Sequence, residues 1–527
     1  MSESASVGGI SDSVALAPPR VFEGASIFQV VFSFAAVLGM TLAVRIFVAL
    51  RSFTIDPDVW WHIKSGQTIL ATHQWPTTDP YSFTIAGQHW VAYEWLGDVL
   101  LATVYGAGGF RGLGALLIVL GAIYAVALYC YTTIRCGNPK AGFVATFFLL
   151  SLTDFCNLRP QMVGYIFLIL TLIILQRFRQ GKRGTLWLLP ALMLVWVNTH
   201  GSWIIGLGTI GVYFACGLIS FSFASLEARK WGAADRAKLM AVLALSVMAT
   251  LVTPYGVGLA KIPFEVNSTL PISFANIEEW QPINFSFGGK TLFLVLVIAF
   301  FMAQAFFRPK WRLEELGLFL IAAIMPFVHM RFLALFVAFS APVFVVILAL
   351  WVPKYERGKE VYALNAAVIV GLLVFMVWHF PSRDDYKGYV EKSYPVAAVQ
   401  YLNAHSVPEP MYDSYGFGGY LVFARGPEHK VFIDGRSEAY ERGGVLADYV
   451  HLAYLTPGSL DVLQKYDIQS CLVAPNDTVA TVLAALPDWQ KIYSDDTAVL
   501  FVRRHDAAQR AQTIQTTQIE DAAGGRS

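Results

Sequence analysis

The stretch Asp56-Pro57-Asp58-Val59-Trp60-Trp61-His62 decides the reading of this chain. It follows directly on an apolar run, Ile27 to Leu50, long enough to cross a bilayer, which takes about 20 residues. Two carboxylates, two indoles and an imidazole stand together in a chain that is 56% hydrophobic and 14% charged, with mean hydropathy +0.53. Soluble domains run about 45–50% apolar and about 25% charged. Both deviations point to a polytopic membrane protein. Charge at a membrane edge is costly, so such a cluster marks a functional site.

Working outward, further spans are predicted near Arg111–Thr133, Ala141–Thr153, Pro160–Gln176, Thr185–Asn198, Ile204–Ser225, Leu239–Val252, Thr291–Phe307, Leu316–His329, Phe332–Trp351 and Val361–Phe380. That makes about eleven spans. The piece Trp95–Tyr105, ending at Gly106-Ala107-Gly108-Gly109, is too short to cross and reads as an interfacial helix. Basic residues fall in alternate connections: Arg135 and Lys140; Arg177, Arg179, Lys182 and Arg183; Arg229, Lys230, Arg236 and Lys238; Arg308, Lys310 and Arg312; Lys354, Arg357 and Lys359. By the positive-inside rule these loops are cytoplasmic and serve as topology signals. The N-terminus is then cytoplasmic, and everything after Phe380 lies on the extracytoplasmic side.

Beyond Phe380 the chain turns polar. Short β-like runs at Lys430–Ile433, Gln469–Val473 and Ala498–Val502 alternate with helical stretches at Pro395–Ala404, Gly458–Lys465 and Val479–Leu486. That alternation suggests a small α/β layer. The expected organisation is a flexible cytoplasmic tail over 1–26 and an all-α membrane bundle over 27–380, with a first extracytoplasmic loop at 51–110. An extracytoplasmic α/β domain follows at 384–504, then a disordered tail at 505–527. Scattered Lys and Arg exclude a nucleic-acid stripe. Five cysteines without a CxxC pair support neither a disulfide framework nor a cysteine metal site.

The predicted outer ends of the spans collect the unusual residues. Asp56, Asp58, Trp61 and His62 follow the first span; Glu94 closes the first loop. Asp154, Arg159 and Gln161 lie between the third and fourth spans, and Asn198, Thr199 and His200 end the fifth. Glu278-Glu279-Trp280 lie in the long loop, and His329-Met330-Arg331 between the ninth and tenth spans. A carboxylate within reach of a hydroxyl can take its proton. A second one can orient the first, bind a sugar hydroxyl or help hold a divalent cation. Arginines suit a phosphate leaving group. Competing readings stand beside these. Trp60 and Trp61 fit an aromatic belt, Asp58 a helix cap, and Arg159 and Arg331 snorkelling to headgroups. Asn198 and His200 fit hydrogen bonds between spans, and Asp434 with Arg436 a turn-stabilising ion pair.

The series Asp56-Pro57-Asp58-Val59-Trp60-Trp61-His62-Ile63, Pro76-Thr77-Thr78-Asp79-Pro80-Tyr81-Ser82 and Trp90-Val91-Ala92-Tyr93-Glu94-Trp95-Leu96 resembles bacterial relatives of the GT-C superfamily. These are polyprenyl-phosphate-sugar glycosyltransferases of the protein O-mannosyltransferase type. Leu158-Arg159-Pro160-Gln161 and Trp196-Val197-Asn198-Thr199-His200-Gly201 are similar to later motifs of the group. The outer segment resembles such proteins through Gly418-Gly419-Tyr420-Leu421 and Phe432-Ile433-Asp434-Gly435-Arg436. The resemblance implies an acidic base in the first outer loop, Asp56 first and Asp58 second. It implies a polyprenyl-phosphate-linked sugar as donor and an acceptor that is a glycan, lipid or protein. His62, Trp61, Glu94, Arg159, Gln161, Asn198, His200, Glu279 and Arg331 would line the substrate site. For the second acidic position Asp79, Glu94, Asp98, Asp154 and Glu279 all stand as candidates, which leaves a divalent cation open. The alternative is a non-catalytic membrane protein that binds a lipid-linked sugar or anchors an envelope assembly.

Overall fold

A computed structural model describes residues 26–52, 56–152, 157–262, 270–286 and 290–504. Asp154 and the tails at 1–25 and 505–527 lie outside them. Helix α1 (Phe34–Leu50) leads to the Asp56 stretch, and α2 (Asp58–Thr72) carries it. Asp58 sits in the first turn of α2, where the helix dipole favours a negative charge. Helix α3 (Trp95–Cys136) is broken once, at Gly109 (φ 57°, ψ −147°). Only glycine enters that region readily, so the sequence places the break. The two legs cover the Trp95–Tyr105 piece and the stretch from Arg111 on, joined without a loop.

The next helices run to and fro. Helix α4 (Pro139–Leu149) starts on an Asn138 cap with Pro139 in its first turn. Helices α5 (Gln161–Arg179), α6 (Leu188–Thr199), α7 (Trp203–Cys216) and α8 (Ala233–Ala249) follow, then α9 (Thr291–Phe307), α10 (Leu313–Ile324), α11 (Leu333–Leu348) and α12 (Tyr362–Trp378). One end of this bundle gathers Asp56, Glu94, Arg159, His200 and Arg331. The other gathers Arg135, Arg179, Arg312, Glu314 and Glu315. By length and composition, three helices among the described residues suffice to cross a membrane: Trp95–Cys136, Gln161–Arg179 and Met330–Leu348. A fourth arises if Tyr362–Trp378 and Arg383–Ser393, bent by 56°, count as one. The shorter helices expose Ile298, Phe301, Val370 and Val374, as a lipid-facing surface does.

The basic residues at the far end are more than topology signals. Arg135 donates to both oxygens of Glu315 at 2.7 and 2.9 Å, and Arg312 reaches the same carboxylate and Gln176. Arg179 pairs with Glu314. Glu314 and Glu315 open α10 inside an apolar bundle, and buried charge there requires partners.

The C-terminal domain carries a four-stranded sheet in the order β1 (Met411–Asp413), β2 (Ser470–Val473), β4 (Val499–Arg503), β3 (Trp489–Ser494). β1 and β2 are parallel; β4 runs antiparallel to both its neighbours. The two later β-like runs of the sequence are β2 and β4. Lys430–Ile433 is not a sheet strand. Instead Val431 bridges to Ser82 of the first loop, and the Thr84 hydroxyl donates to the Phe432 carbonyl at 2.6 Å. A single apolar cluster runs from Val59, Trp60 and Ile63 through Tyr386 and Tyr420 to Phe432 and Leu472. Trp60 is fully buried, ringed by Phe110, Tyr394, Tyr420 and Phe423. It is neither a belt anchor nor a sugar platform.

Candidate active site

Arg159 stands at the centre. It precedes α5, and its guanidinium faces Asp56 (Nε to Oδ1, 2.8 Å) and Asp58 (Nη2 to Oδ2, 3.0 Å). Its third nitrogen lies 3.7 Å from Glu279, whose other oxygen is 3.7 Å from Arg331. The Arg331 guanidinium lies over the Trp280 ring at 3.9 Å, a cation–π contact. The side chains open outward in order: Asp56 8% exposed, Asp58 14%, Arg159 24% and Glu279 33%. The site therefore has a closed acidic floor and an open mouth flanked by two arginines.

The two aspartates differ. The Asp56 carboxylate accepts the Asp58 backbone N–H at 3.0 Å and the Asn157 amide at 3.3 Å, besides Arg159. It closes the turn into α2, so Asp56, and not Asp58, acts as the local cap. Asp58 keeps one oxygen beyond its Arg159 contact. Burial pushes its carboxyl up to about 7, with Arg159 pulling the other way.

A second chain of groups adjoins the first. His62 Nδ1 is 2.6 Å from Asp98 Oδ1, and His62 Nε2 is 3.5 Å from Glu94. The other Glu94 oxygen is 3.3 Å from His200 Nε2. The Ser202 backbone N–H donates to His200 Nδ1 at 3.0 Å. That nitrogen is therefore an acceptor, and the His200 proton sits on Nε2, aimed at Glu94. Burial, with Arg331 and His62 nearby, lowers His200 to about 3, so its ring is neutral. For His62 burial works downward, but Asp98 and then Glu94 outweigh it and raise its pKa. Burial lifts Glu94 to about 8 against the pull of His62. Glu94 thus sits between the His62 ring and the neutral His200 N–H. Trp61 stacks on His62 with centroids 3.6 Å apart.

The structure brings Asp56, Asp58, His62, Trp61, Glu94, Arg159, His200, Glu279 and Arg331 to one end of the bundle. Two other expected lining residues are turned to local tasks. Asn198 accepts from the Trp95 indole at 2.8 Å and donates to the Leu194 and Val252 carbonyls. Gln161 donates to the Tyr165 hydroxyl one turn on. Asp98 enters as the partner of His62, while Asp79 is sealed in the first loop by Ser82 and Arg436. Glu438 of the C-terminal domain is a residue that sequence reasoning missed; its charge is near enough to raise Glu94 further. Among the described residues no group of three or more His, Cys, Asp or Glu is spaced to hold a metal ion. Arg159 occupies the position between the carboxylates that a cation would need. Beside the site an apolar groove of about 360 Å³ is lined by Leu96, Val99, Leu100, Val163, Val195 and Thr199.

No family model matches the chain, and no curated protein matches it. Among solved structures, ArnT from Cupriavidus metallidurans in the apo state is 14% identical, with a TM-score of 0.50 over 88% of this chain and 97% of that one. ArnT bound to undecaprenyl phosphate scores 0.49 at 14% identity over 89% and 98%. The archaeal oligosaccharyltransferase AglB from Archaeoglobus fulgidus, in complex with an inhibitory peptide and a dolichol-phosphate, scores 0.49 at 12% identity over 87% and 71%. The likeness to apo ArnT is one of fold.

Proposed function

We propose that this chain is an integral membrane glycosyltransferase that moves a sugar from a polyprenyl phosphate to an acceptor hydroxyl outside the cytoplasm. The observation that carries this reading is the mouth formed by Arg159, Glu279 and Arg331 above the Asp58 carboxyl. Two guanidinium groups share one loosely held carboxylate there, at 3.7 Å from each. A phosphate placed between them would accept charge-assisted hydrogen bonds from both. The apolar groove lined by Leu96, Val163 and Thr199, close in the chain to Glu94, Arg159 and His200, would supply a surface for an isoprenoid chain.

In the proposed reaction the acceptor oxygen attacks the anomeric carbon. Its proton passes to the Asp58 carboxylate while the bond from that carbon to the phosphate oxygen breaks. The electron pair stays on the phosphate, and Arg159 and Arg331 hold the added charge. Asp58 is the better base than Asp56. Its carboxyl titrates near neutrality, where a base is most effective, whereas Asp56 is spent on a backbone turn. His62, Glu94 and His200 form a polar wall suited to sugar hydroxyls.

Incubating purified protein with a panel of labelled polyprenyl-phosphate sugars tests this. Transfer or donor hydrolysis is expected, and both are lost in Asp58→Asn. Binding without turnover across the whole panel would favour the non-catalytic reading instead.

A further inference from the structure

The C-terminal domain meets the site most closely at Gly435. An ideal Cβ on Gly435 would fall 1.6 Å from Asp58 Oδ1 and 3.3 Å from the Trp61 indole nitrogen. Contacts under 3.0 Å do not occur for real side chains, so the carboxylate stands where a methyl group would be. The other Asp58 oxygen is on Arg159, so the short side chain cannot swing aside without giving up that ion pair.

Gly435 is itself held on both sides. Its carbonyl accepts from the Tyr415 hydroxyl at 3.3 Å. Its neighbours Asp434 and Arg436 form a buried ion pair, and Arg436 also reaches Asp79 of the first loop at 2.5 Å. The Arg436 guanidinium lies over the Trp90 and Tyr81 rings. A second bare position, Gly419, lets the domain sit against the Pro57 carbonyl. The segment therefore presses a backbone surface, with no side chain, onto the acidic floor of the site.

We infer that Gly435 is a positioning residue for the sugar-transfer reaction: its bare Cα, clamped by Arg436, holds the Asp58 carboxylate against Arg159. Any side chain at 435 drives that carboxylate off the arginine by more than an ångström. The C-terminal domain is then a wall of the site and not an appended module. This inference rests on the proposed function for its meaning, but its contact is testable without turnover.

The test is a double-mutant cycle on the full-length protein in detergent. Gly435→Ala is compared in the wild-type and Asp58→Ala backgrounds, Asp58→Ala removing both atoms that clash, Oδ1 at 1.6 Å and Cγ at 2.7 Å. Thermal unfolding is read for all four proteins, and initial rates for wild type and Gly435→Ala. Gly435→Ala should lower the melting temperature with Asp58 present and leave it within one or two degrees in Asp58→Ala (coupling of this kind reports direct contact). Its kcat should fall at least about tenfold while KM for the donor stays within about twofold. If Gly435→Ala alone fails to fold, recovery of the fold in the double variant is the expected result. Equal destabilisation in both backgrounds, or failure of both to fold, overturns the inference, as does wild-type kcat in Gly435→Ala. Absence of turnover in the wild type would sink the proposed function alone, since the melting cycle still decides the contact.

Discussion

Replacing Asp58 by Asn should make the protein more stable and inactive at the same time. The side chain keeps its shape but loses its charge. Burial lifts the Asp58 carboxyl from 3.8 to about 7. The ionised form is therefore worse off in the folded protein, by at most about 4 kcal/mol at roughly 1.4 kcal/mol per pH unit. Between the two values the folded state holds a proton that the unfolded chain has released. Wild-type stability thus falls as pH rises through that window, and the contribution is fully lost above about 7. Asn has no such window. Asp58→Asn should melt a few degrees above wild type at pH 8, with the gap closing as pH drops and vanishing below about 4. Loss of a general base costs about 10²–10⁴-fold in rate, or roughly 3–5 kcal/mol of barrier. Melting curves at pH 4, 6 and 8, with initial rates on a labelled donor at pH 8, check both halves. A melting difference independent of pH would refute the buried-carboxyl argument; undiminished turnover would remove Asp58 as the base.

Other substitutions probe the rest of the molecule. Arg159→Lys leaves a point charge that cannot face Asp56 and Asp58 at once; kcat should fall about 10²-fold with the melting temperature close to wild type, read by initial rates. Glu315→Gln strips the carboxylate that Arg135 and Arg312 share, and should cost about 3–5 kcal/mol in thermal or denaturant unfolding without touching donor binding. Gly66→Ala places a methyl group 2.1 Å from the Asp98 carbonyl; it should push α2 from α3, cost about 1–3 kcal/mol, and lower activity by displacing His62 from Asp98.

The parts of the site that were legible in the sequence are those whose chemistry clashes with their surroundings. Asp56, Asp58, His62 and Arg159 stand out because charge beside an apolar run needs a reason. Gly109 likewise marks the break in α3 from its own preference. Two kinds of feature were not legible. The first is direction: Gln161 and Asn198 have the chemistry of lining residues, yet Tyr165 and the Trp95 indole claim them. Residue type and spacing do not say which neighbour an amide will choose. The second is distance along the chain. Arg436 meets Asp79 across 357 positions, and Gly435 meets Asp58 across a similar gap. No local pattern announces such contacts. Read locally, Asp434 and Arg436 form an ion pair across a turn, as they do, and Lys430–Ile433 a strand of its own domain. Both stretches also tie that domain to the first loop.

The Asp79–Arg436 tie also bears on how the protein is made. Its two ends lie on either side of almost the whole helical bundle in chain order. During synthesis the first loop emerges early and its counterpart last. Until the late segment arrives, Trp60 has lost its cover and Asp58 its backing, so a half-inserted chain holds a disassembled acidic floor. Under the proposed function, a nascent chain stalled after α12 should bring every helix to the membrane yet remain inert.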